Sequence, residues 1–211
     1  MFTKVISLKL NEFYQQHASD KKTLDVGSRS GRHKEWFPDV FSVDIDPASK
    51  PDMVADAQAL PFPDNSFGVV ICREVLEHVK DPKQVLAELY RVLQPGGTLL
   101  LSTRFMFPIH EAPEDRWRFT RYVLAELTMA FNQVEITEDT KPASAIGTLL
   151  QRFAWQSDFK YANKFFKLML LLLAEIFLHS DGLVKKQYGN INKSSAVDSA
   201  FSNGYFLVAK K

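Results

Sequence analysis

The feature that most constrains the fold is a short apolar segment that runs directly into a glycine-containing turn. Residues 23–26 read Thr-Leu-Asp-Val, and residues 27–31 read Gly-Ser-Arg-Ser-Gly. At the end of a parallel strand such a turn lets backbone N–H groups approach a ligand closely, because glycine adopts the required conformations with no side chain in the way. The pattern predicts a strand, a ligand-binding turn and then a helix.

A second apolar segment strengthens this interpretation because it ends in an acid. Residues 41–45 read Phe-Ser-Val-Asp-Ile, which puts Asp44 at the end of a predicted strand. Between the two strands, residues 31–37 have a helical pattern that Pro38 closes. A strand–helix–strand unit with an acid at its second strand is typical of a nucleotide-like cofactor site, since ribose hydroxyls need a hydrogen-bond acceptor.

The following segments continue the alternation of strands and helices. Asp81 and Pro82 are typical of a helix start, and the Pro-Gly-Gly sequence at 95–97 predicts the end of that helix. Apolar runs predict further strands at 51–54, 67–72 and 98–102. The fold class is therefore α/β, with a doubly wound, mostly parallel sheet covered by helices on both faces.

The second half of the chain changes character. Residues 104–118 mix prolines, charges and aromatic side chains without a period, which predicts a long functional loop. A helix is predicted over 120–130, a strand over 133–137, a helical stretch from about 145 and a last strand over 204–209.

Composition limits the classes of function. The 211 residues carry 26 basic and 25 acidic side chains, a formal net charge of +1, so we expect no nucleic-acid partner. A single cysteine, Cys72, excludes an internal disulfide and suits a reducing compartment, and the first ten residues lack the pattern of a secretory signal. We therefore expect a cytoplasmic protein.

Four blocks of sequence carry a resemblance to a known family. They lie at 24–31, 43–46, 55–67 and 91–97, and their order and spacing resemble those of class I S-adenosylmethionine-dependent methyltransferases, specifically the methyltransferase type 11 domain family. The resemblance covers about 23–120. It implies a seven-stranded sheet whose last strand is antiparallel, with S-adenosylmethionine lying across the carboxyl ends of the first, second and fourth strands.

The resemblance also implies roles for individual residues. Asp25 and Gly27, with the turn after them, would hold the methionine part of the cofactor, and Asp44 would accept hydrogen bonds from the ribose. Asp56 and the backbone N–H of Ala57 would meet the adenine. The full set of expected cofactor-binding residues is Asp25, Gly27, Ser28, Arg29, Gly31, Asp44, Ile45, Asp56, Ala57 and Arg73.

Two positions depart from the family pattern. Arg29 stands where the middle glycine of the turn is usual, so its side chain must point away or pair with the cofactor carboxylate. Gly68 stands where aspartate is common after Phe67. A non-catalytic S-adenosylmethionine-binding scaffold is therefore one alternative function. A nicotinamide-dependent oxidoreductase is another, but Arg32 and His33 occupy the place of its third glycine.

Candidate residues for the chemistry follow the fourth and fifth predicted strands. His110 is a candidate general base, because its ordinary pKa lies near neutrality, and the alternative is a loop histidine bonded to a carboxylate. Glu74 is the second candidate catalytic residue. Substrate-side candidates are His78, Asp115, Trp117 and Arg118. We expect no metal, because the spacing of His78, His110, Glu111 and Asp115 matches no known ligand motif.

The segment 165–178 is strongly apolar and follows Lys160, Lys164 and Lys167. It is too short to span a bilayer, and Glu175 interrupts it. Three interpretations remain: a lid over the acceptor pocket, a dimer contact, or a helix on a membrane surface. The oligomeric state is left open.

The sequence thus predicts a single methyltransferase domain over 1–211, with an N-terminal helix in 1–20 and a helical lid or acceptor-side insertion over 140–200. The expected partner is a small-molecule acceptor, and lipid-linked and saccharide acceptors both fit that class.

Overall fold

The computed structural model describes residues 5–29, 33–197 and 200–211. Seven strands form one sheet in the order β3-β2-β1-β4-β5-β7-β6. The strands are β1 (Thr23–Val26), β2 (Val40–Asp44), β3 (Met53–Val54), β4 (Phe67–Arg73), β5 (Leu93–Arg104), β6 (Asn132–Glu138) and β7 (Gly204–Lys210). The predicted α/β class with a seven-stranded, mostly parallel sheet is confirmed.

The first five strands run parallel, and their register brings three strand ends together. Val26 at the end of β1 pairs with Val43 of β2 and with Cys72 of β4. The next residue along each strand therefore reaches the same edge of the sheet. That edge carries Gly27, Asp44 and Arg73.

The last strand runs in the opposite direction to β5. At the start of β5, Gly96 donates a backbone hydrogen bond to the carbonyl of Lys211, which follows the end of β7, at 3.0 Å. Lys211 donates in return to the carbonyl of Gly97 at 3.1 Å. The beginning of one strand thus meets the end of the other, as the resemblance implies.

Five α-helices accompany the sheet within the described residues: α1 (Val5–Gln16), α2 (Pro82–Val92), α3 (Arg121–Leu127), α4 (Pro142–Gln156) and α5 (Asn163–Leu178). The predicted start of α2 is confirmed, because the Asp81 side chain accepts hydrogen bonds from the backbone N–H groups of Lys83 and Gln84. Thr120 caps α3 in the same way through Val123. None of these helices combines the length and hydropathy required to cross a bilayer.

Several predicted boundaries differ from the structure, and two of the differences concern where a helix ends. The helix predicted over 31–37 is a single turn in its described part, 33–37, because Phe37 bonds back to His33 at 2.9 Å and Pro38 cannot continue the ladder. The Pro-Gly-Gly sequence at 95–97 does not end α2, which stops at Val92; it lies inside β5, where the pairing with β4 is irregular.

The chain divides into two compact units. One comprises 12–105, 109–137 and 205–211, and contains most of the sheet with the turns at its carboxyl edge. Its core comes from β1, β4, β5 and α2, with Leu24, Val70, Leu89 and Leu99 fully buried. The other comprises 1–11, 106–108 and 138–204, and is built on α4 and α5. The predicted single domain and lid stay predictions.

Helices α4 and α5 pack closely through small residues. Gly147 of α4 faces Ala174 and Leu178 of α5, and a Cβ atom at Gly147 would lie 2.9 Å from the Ala174 carbonyl oxygen. Leu171, Ala174 and Leu178 are the buried side chains of α5, at spacings of three and four residues. Most of the remaining apolar side chains of α5 are exposed.

Candidate active site

The turn after β1 needs glycine at its first position for two reasons. Gly27 has a φ of +73°, in the left-handed region, and its N–H donates to the carbonyl of Val43 at 2.9 Å. A Cβ atom at Gly27 would also lie 2.3 Å from Cγ2 of Val75. The sequence pattern therefore reflects both a backbone conformation and the close approach of the segment after β4.

The Asp44 carboxylate lies against this turn. Its Oδ2 accepts a hydrogen bond from the backbone N–H of Arg29 at 3.2 Å, and its Oδ1 accepts one from Asp46 at 3.0 Å. The side chain is mostly buried. Two amide donors fix its orientation, and a carboxylate can accept further bonds at its remaining lone pairs.

The Arg29 side chain forms an ion pair with Glu111, with both side chains partly exposed. The two expectations for Arg29, a side chain that points away or one that pairs with the cofactor carboxylate, stay predictions. Its φ of +38° lies in the left-handed region, which explains why glycine is usual at this position of the turn. Gly68, the other departure, lies near the start of β4, at the opposite end of that strand from Arg73.

Asp25 is a buried acid without a hydrogen-bond partner among the described residues. It lies inside β1 with 1% of its surface exposed, and neither carboxylate oxygen is bonded. Burial raises its pKa to about 7, the charge of Arg73 partly opposes this, and Asp44 adds to it. An orphaned buried carboxyl is costly, so it indicates a site that a cationic or hydrogen-donating ligand completes.

The other expected cofactor residues surround the same edge or lie near it. Arg73 donates to the carbonyl of Ser28 at 3.1 Å and so holds the turn. Asp56 accepts from the backbone and side chain of Gln58, while Ala57 is buried. Ile45 is 69% exposed. Gly31 lies outside the described residues.

Glu74 begins the segment after β4 and has a φ of +52°. Its side chain forms an ion pair with Arg104, which is buried at the end of β5. The ion pair places the Glu74 carboxylate beside a cation at the end of β5. Its backbone N–H donates to Ser102, which ties the segment to β5.

Asp115 organises the loop that contains His110. Arg118 donates two hydrogen bonds to it, each at 2.6 Å, and the backbone N–H of His110 donates a third at 2.8 Å. These bonds hold the pKa of Asp115 down at about 2, with the Arg118 bonds as the largest cause. Nδ1 of His110 lies 3.3 Å from the same carboxylate. Burial lowers the pKa of His110, only partly offset by Asp115, so its imidazole is neutral near pH 7.

His78 and Trp117 contact the neighbouring backbone. Nδ1 of His78 donates to the carbonyl of Glu114 at 3.2 Å, and its ring meets that of His110 edge to face, with centroids 4.8 Å apart. The Trp117 indole N–H donates to Val79 at 2.9 Å while the ring stays 44% exposed.

Sequence reasoning missed Glu77, the most buried acid of this region. No part of Glu77 is exposed; its Oε2 accepts from the Thr103 hydroxyl at 2.8 Å, and its Oε1 has no partner among the described residues. Burial raises its pKa to about 8, and the nearby Glu74 adds to the shift. Within an apolar-looking Val-Leu-Glu-His run, only the fold reveals that this side chain points inward.

Glu77, His78 and His110 form a cluster whose ligand-type atoms lie within 4.8 Å of one another. Glu111 and Asp115, which we considered with the two histidines in the sequence, instead pair with Arg29 and Arg118.

The seven-stranded order β3-β2-β1-β4-β5-β7-β6, with β7 antiparallel to β5, is the class I methyltransferase fold, and the glycine turn after β1 and the acid at the end of β2 lie where that fold binds its cofactor. Comparison with known proteins agrees: residues 24–101 match the family model described as "Methyltransferase domain".

Relatives of known name match the same part of the chain. The demethylmenaquinone methyltransferase of Renibacterium salmoninarum is 35% identical over 96 residues, which cover 39% of this chain and 40% of that protein. The ubiquinone/menaquinone biosynthesis C-methyltransferase UbiE of Pseudoalteromonas translucida is 41% identical over 69 residues, covering 33% and 27%. The chain thus spans two fifths or less of the length of these relatives.

Solved structures resemble almost the whole chain in fold. A SAM-dependent methyltransferase from Archaeoglobus fulgidus has a TM-score of 0.61 at 14% identity, covering 99% of this chain and 94% of that one. The [4+2]-cyclase SpnF has a TM-score of 0.60 at 15% identity, covering 99% and 80%. Phosphoethanolamine N-methyltransferase 2 of Haemonchus contortus, solved with S-adenosyl-L-methionine, has a TM-score of 0.57 at 18% identity, covering 97% and 52%.

Proposed function

We propose that the chain transfers a methyl group from S-adenosylmethionine to a small-molecule acceptor. The observation that carries this proposal is the Asp44 carboxylate, fixed by two backbone N–H groups beside the turn that follows β1. The methyltransferase domain match over 24–101 includes this turn and Asp44, and it favours methyl transfer over the nicotinamide oxidoreductase alternative. The non-catalytic scaffold is the alternative function, and a methyl-transfer assay distinguishes it from the enzyme.

The residues present at the sheet edge fit this cofactor. Asp25 is a buried carboxyl that needs a donor, and Gly27 keeps the turn clear of a side chain. In our proposal Asp25 and the turn at Gly27 and Ser28 hold the methionine part, Asp44 accepts the ribose hydroxyls, and Asp56 with the N–H of Ala57 meets the adenine. The bound cofactor supplies a sulfonium-activated methyl group.

On the acceptor side we propose His110 as the group that takes a proton from the acceptor. Its neutral imidazole can accept a proton near pH 7, and Asp115, which Arg118 holds in place, stabilises the charged ring. His78 and Trp117 would contact the acceptor, and Glu74 would position the segment through Arg104. A His110→Ala variant that kept both the rate and its pH dependence would contradict the role of His110.

The experiment that tests the cofactor is titration calorimetry with S-adenosylmethionine, followed by a methyl-transfer assay against panels of small acceptors. We expect one binding site per chain. No binding at about millimolar ligand would overturn the proposal, while binding without transfer to any acceptor would favour the scaffold alternative. Relatives named for demethylmenaquinone make quinone-type acceptors the first panel to assay.

We further propose that the unit containing α5 contacts a membrane surface. Seven apolar side chains of α5 are exposed: Phe165, Phe166, Leu168, Met169, Leu172, Leu173 and Ile176. Exposed lysines lie near the start of this helix, Lys160 and Lys164 among them. Apolar groups beside basic ones suit the boundary between acyl chains and anionic headgroups. A cytoplasmic location, indicated by the single cysteine, belongs to the same proposal.

A further inference from the structure

We propose that Glu77, His78 and His110 form a binding site for a divalent transition metal ion of the zinc type. They are the one group of three potential ligands that the described residues bring together, with one donor atom each within 4.8 Å. Two imidazoles and a carboxylate are a ligand set that holds zinc in sites that keep a fourth position open. A tetrahedral zinc ion needs donor atoms roughly 3.4 Å apart, so small side-chain rotations would complete the site.

The carboxylate is the first independent support. Oε1 of Glu77 is fully buried and has no partner among the described residues, whereas its Oε2 is held by the Thr103 hydroxyl. Leaving a carboxylate oxygen buried and unbonded is unfavourable, and a bound cation removes that cost. Glu74 pairs with Arg104 and Asp115 pairs with Arg118, so these two acids already have cationic partners, and a metal ion would bind the ionised form of Glu77.

The second support is the way the two imidazoles are held. Nδ1 of His78 donates to the Glu114 carbonyl at 3.2 Å, and Nδ1 of His110 lies 3.3 Å from Asp115. Ligating histidines in proteins usually engage one ring nitrogen with a carbonyl or carboxylate, which fixes the tautomer and presents the other nitrogen to the metal. Thr103 and Glu114 thus hold Glu77 and His78 by hydrogen bonds, and His110 lies at ion-pair distance from Asp115, which also accepts its backbone N–H.

The loop that contains His110 is also hydrogen-bonded through its backbone to the segment that contains Glu77. The N–H groups of Arg116 and Trp117 donate to the Glu77 carbonyl at 2.8 and 3.1 Å, which brings the segment after β4 and the His110 loop together. A metal bound here uses the His110 nitrogen that would otherwise take a proton. His110 can therefore either bind the metal ion or take a proton, but not both at once. A measurement of metal affinity tests this proposal independently of whether the protein transfers methyl groups.

The test is a titration of the metal-free protein with Co²⁺, monitored by the visible ligand-field absorption of the bound ion. A competition with Zn²⁺ then compares the two metals. We expect one tightly bound ion per chain, with the spectrum of a four-coordinate site that contains nitrogen ligands. Glu77→Gln and His78→Gln should each weaken binding by at least about tenfold, and Thr103→Val, which removes only the partner of Glu77, by roughly 10–100-fold.

His179→Gln is the matched control, because His179 is an exposed histidine on the other unit whose Nδ1 also contacts a backbone carbonyl. It should leave the Co²⁺ affinity unchanged. Thermal melts show whether each variant folds. If Glu77→Gln does not fold, the test rests on His78→Gln, because His78 is only half-buried. Absence of binding at hundreds of micromolar Co²⁺, or equal affinity in wild type and His78→Gln, would overturn the proposal.

Discussion

Asp44 is the side chain on which cofactor affinity should depend most strongly. Replacing it with alanine removes a charged acceptor from the ribose side, so we expect S-adenosylmethionine binding to weaken by about 1.5–3 kcal/mol. Asp44→Asn keeps the shape and one oxygen and should lose less. Titration calorimetry measures both.

The matched control for Asp44 is Asp39→Ala. Asp39 is an exposed acid just before the start of β2, at the opposite end of that strand. Its removal should leave the affinity within experimental error. An Asp44→Ala protein that binds as tightly as wild type, with an unchanged melting temperature, would refute the ribose role.

Asp25 should make cofactor affinity depend on pH. Its pKa of about 7 in the free chain lies above the ordinary value of 3.8, so the carboxyl is mostly protonated below pH 6. A cationic amino group on the ligand favours the ionised form, and binding must then release a proton at low pH. We therefore expect affinity to rise with pH, by about tenfold between about pH 5.5 and 7.5, and then to level off.

Calorimetry in two buffers of different ionisation enthalpy measures the released proton directly. Asp25→Asn should bind more weakly at about pH 7.5 and lose the pH dependence, because it has no proton to release. The charges that act on Asp25 are Arg73, which favours its ionised form, and Asp44, which opposes it. An equally steep pH profile in Asp25→Asn would place the titrating group elsewhere.

Residues at strand ends could be predicted from sequence, whereas residues set by the loop could not. The spacing of strand patterns is enough to bring Gly27 and Asp44 to one edge, because parallel register leaves little freedom. The inward orientation of Glu77 could not be predicted, because it depends on a hydrogen bond from Thr103, which lies on another strand. The ion pair between Arg29 and Glu111 likewise joins segments whose approach no local pattern encodes.

Helix packing in the α4–α5 pair gives a prediction in which two opposing effects compete. Alanine favours a helix over glycine by about 1 kcal/mol. At Gly147, however, its Cβ would lie 2.8 Å from Cγ of Leu178 and 2.9 Å from a backbone oxygen of Ala174. Overpacking of this kind costs about 1–3 kcal/mol. We expect Gly147→Ala to destabilise the protein by about 1 kcal/mol in urea unfolding.

Gly182→Ala is the control, since nothing lies within 4 Å of a Cβ atom there. Its effect should stay within about 0.5 kcal/mol. A Gly147→Ala variant more stable than wild type would mean that the helices separate easily and that the close contact is not a constraint.

Element boundaries show where sequence patterns are ambiguous. The start of α2 was predictable because Asp81 and Pro82 act locally on the first turn. The role of 95–97 was not, because the same glycines that can end a helix can also form an irregular strand, as Gly96 does with a φ of +73°. The pairing with β4, a segment distant in sequence, determines which of these two structures the glycines adopt.

For the molecule as a whole, the fold could be predicted more completely than the activity. The βαβ pattern and four sequence blocks identified a methyltransferase fold, and family and structural comparisons agree. The same fold is found in the [4+2]-cyclase SpnF at a TM-score of 0.60, so the architecture does not determine the reaction. The division into two compact units had no signal in the sequence beyond a change of pattern after Thr103.

The exposed face of α5 carries the last prediction, that the protein binds vesicles containing anionic lipid. Leu172 and Ile176 are 55% and 64% exposed, one helical turn apart, and burying such a side chain fully gains about 1.5–3 kcal/mol. Nearby lysines add about 1 kcal/mol each at an anionic surface.

In co-sedimentation, Leu172→Ser/Ile176→Ser should reduce binding more than tenfold, whereas Met129→Ser, at an exposed apolar residue of the other unit, should not. Added salt should weaken the binding that remains by screening the lysines. If all of the wild-type protein stays in the supernatant while sedimentation velocity shows a dimer that the double variant loses, the face is a contact between two copies of the chain and the membrane proposal is wrong.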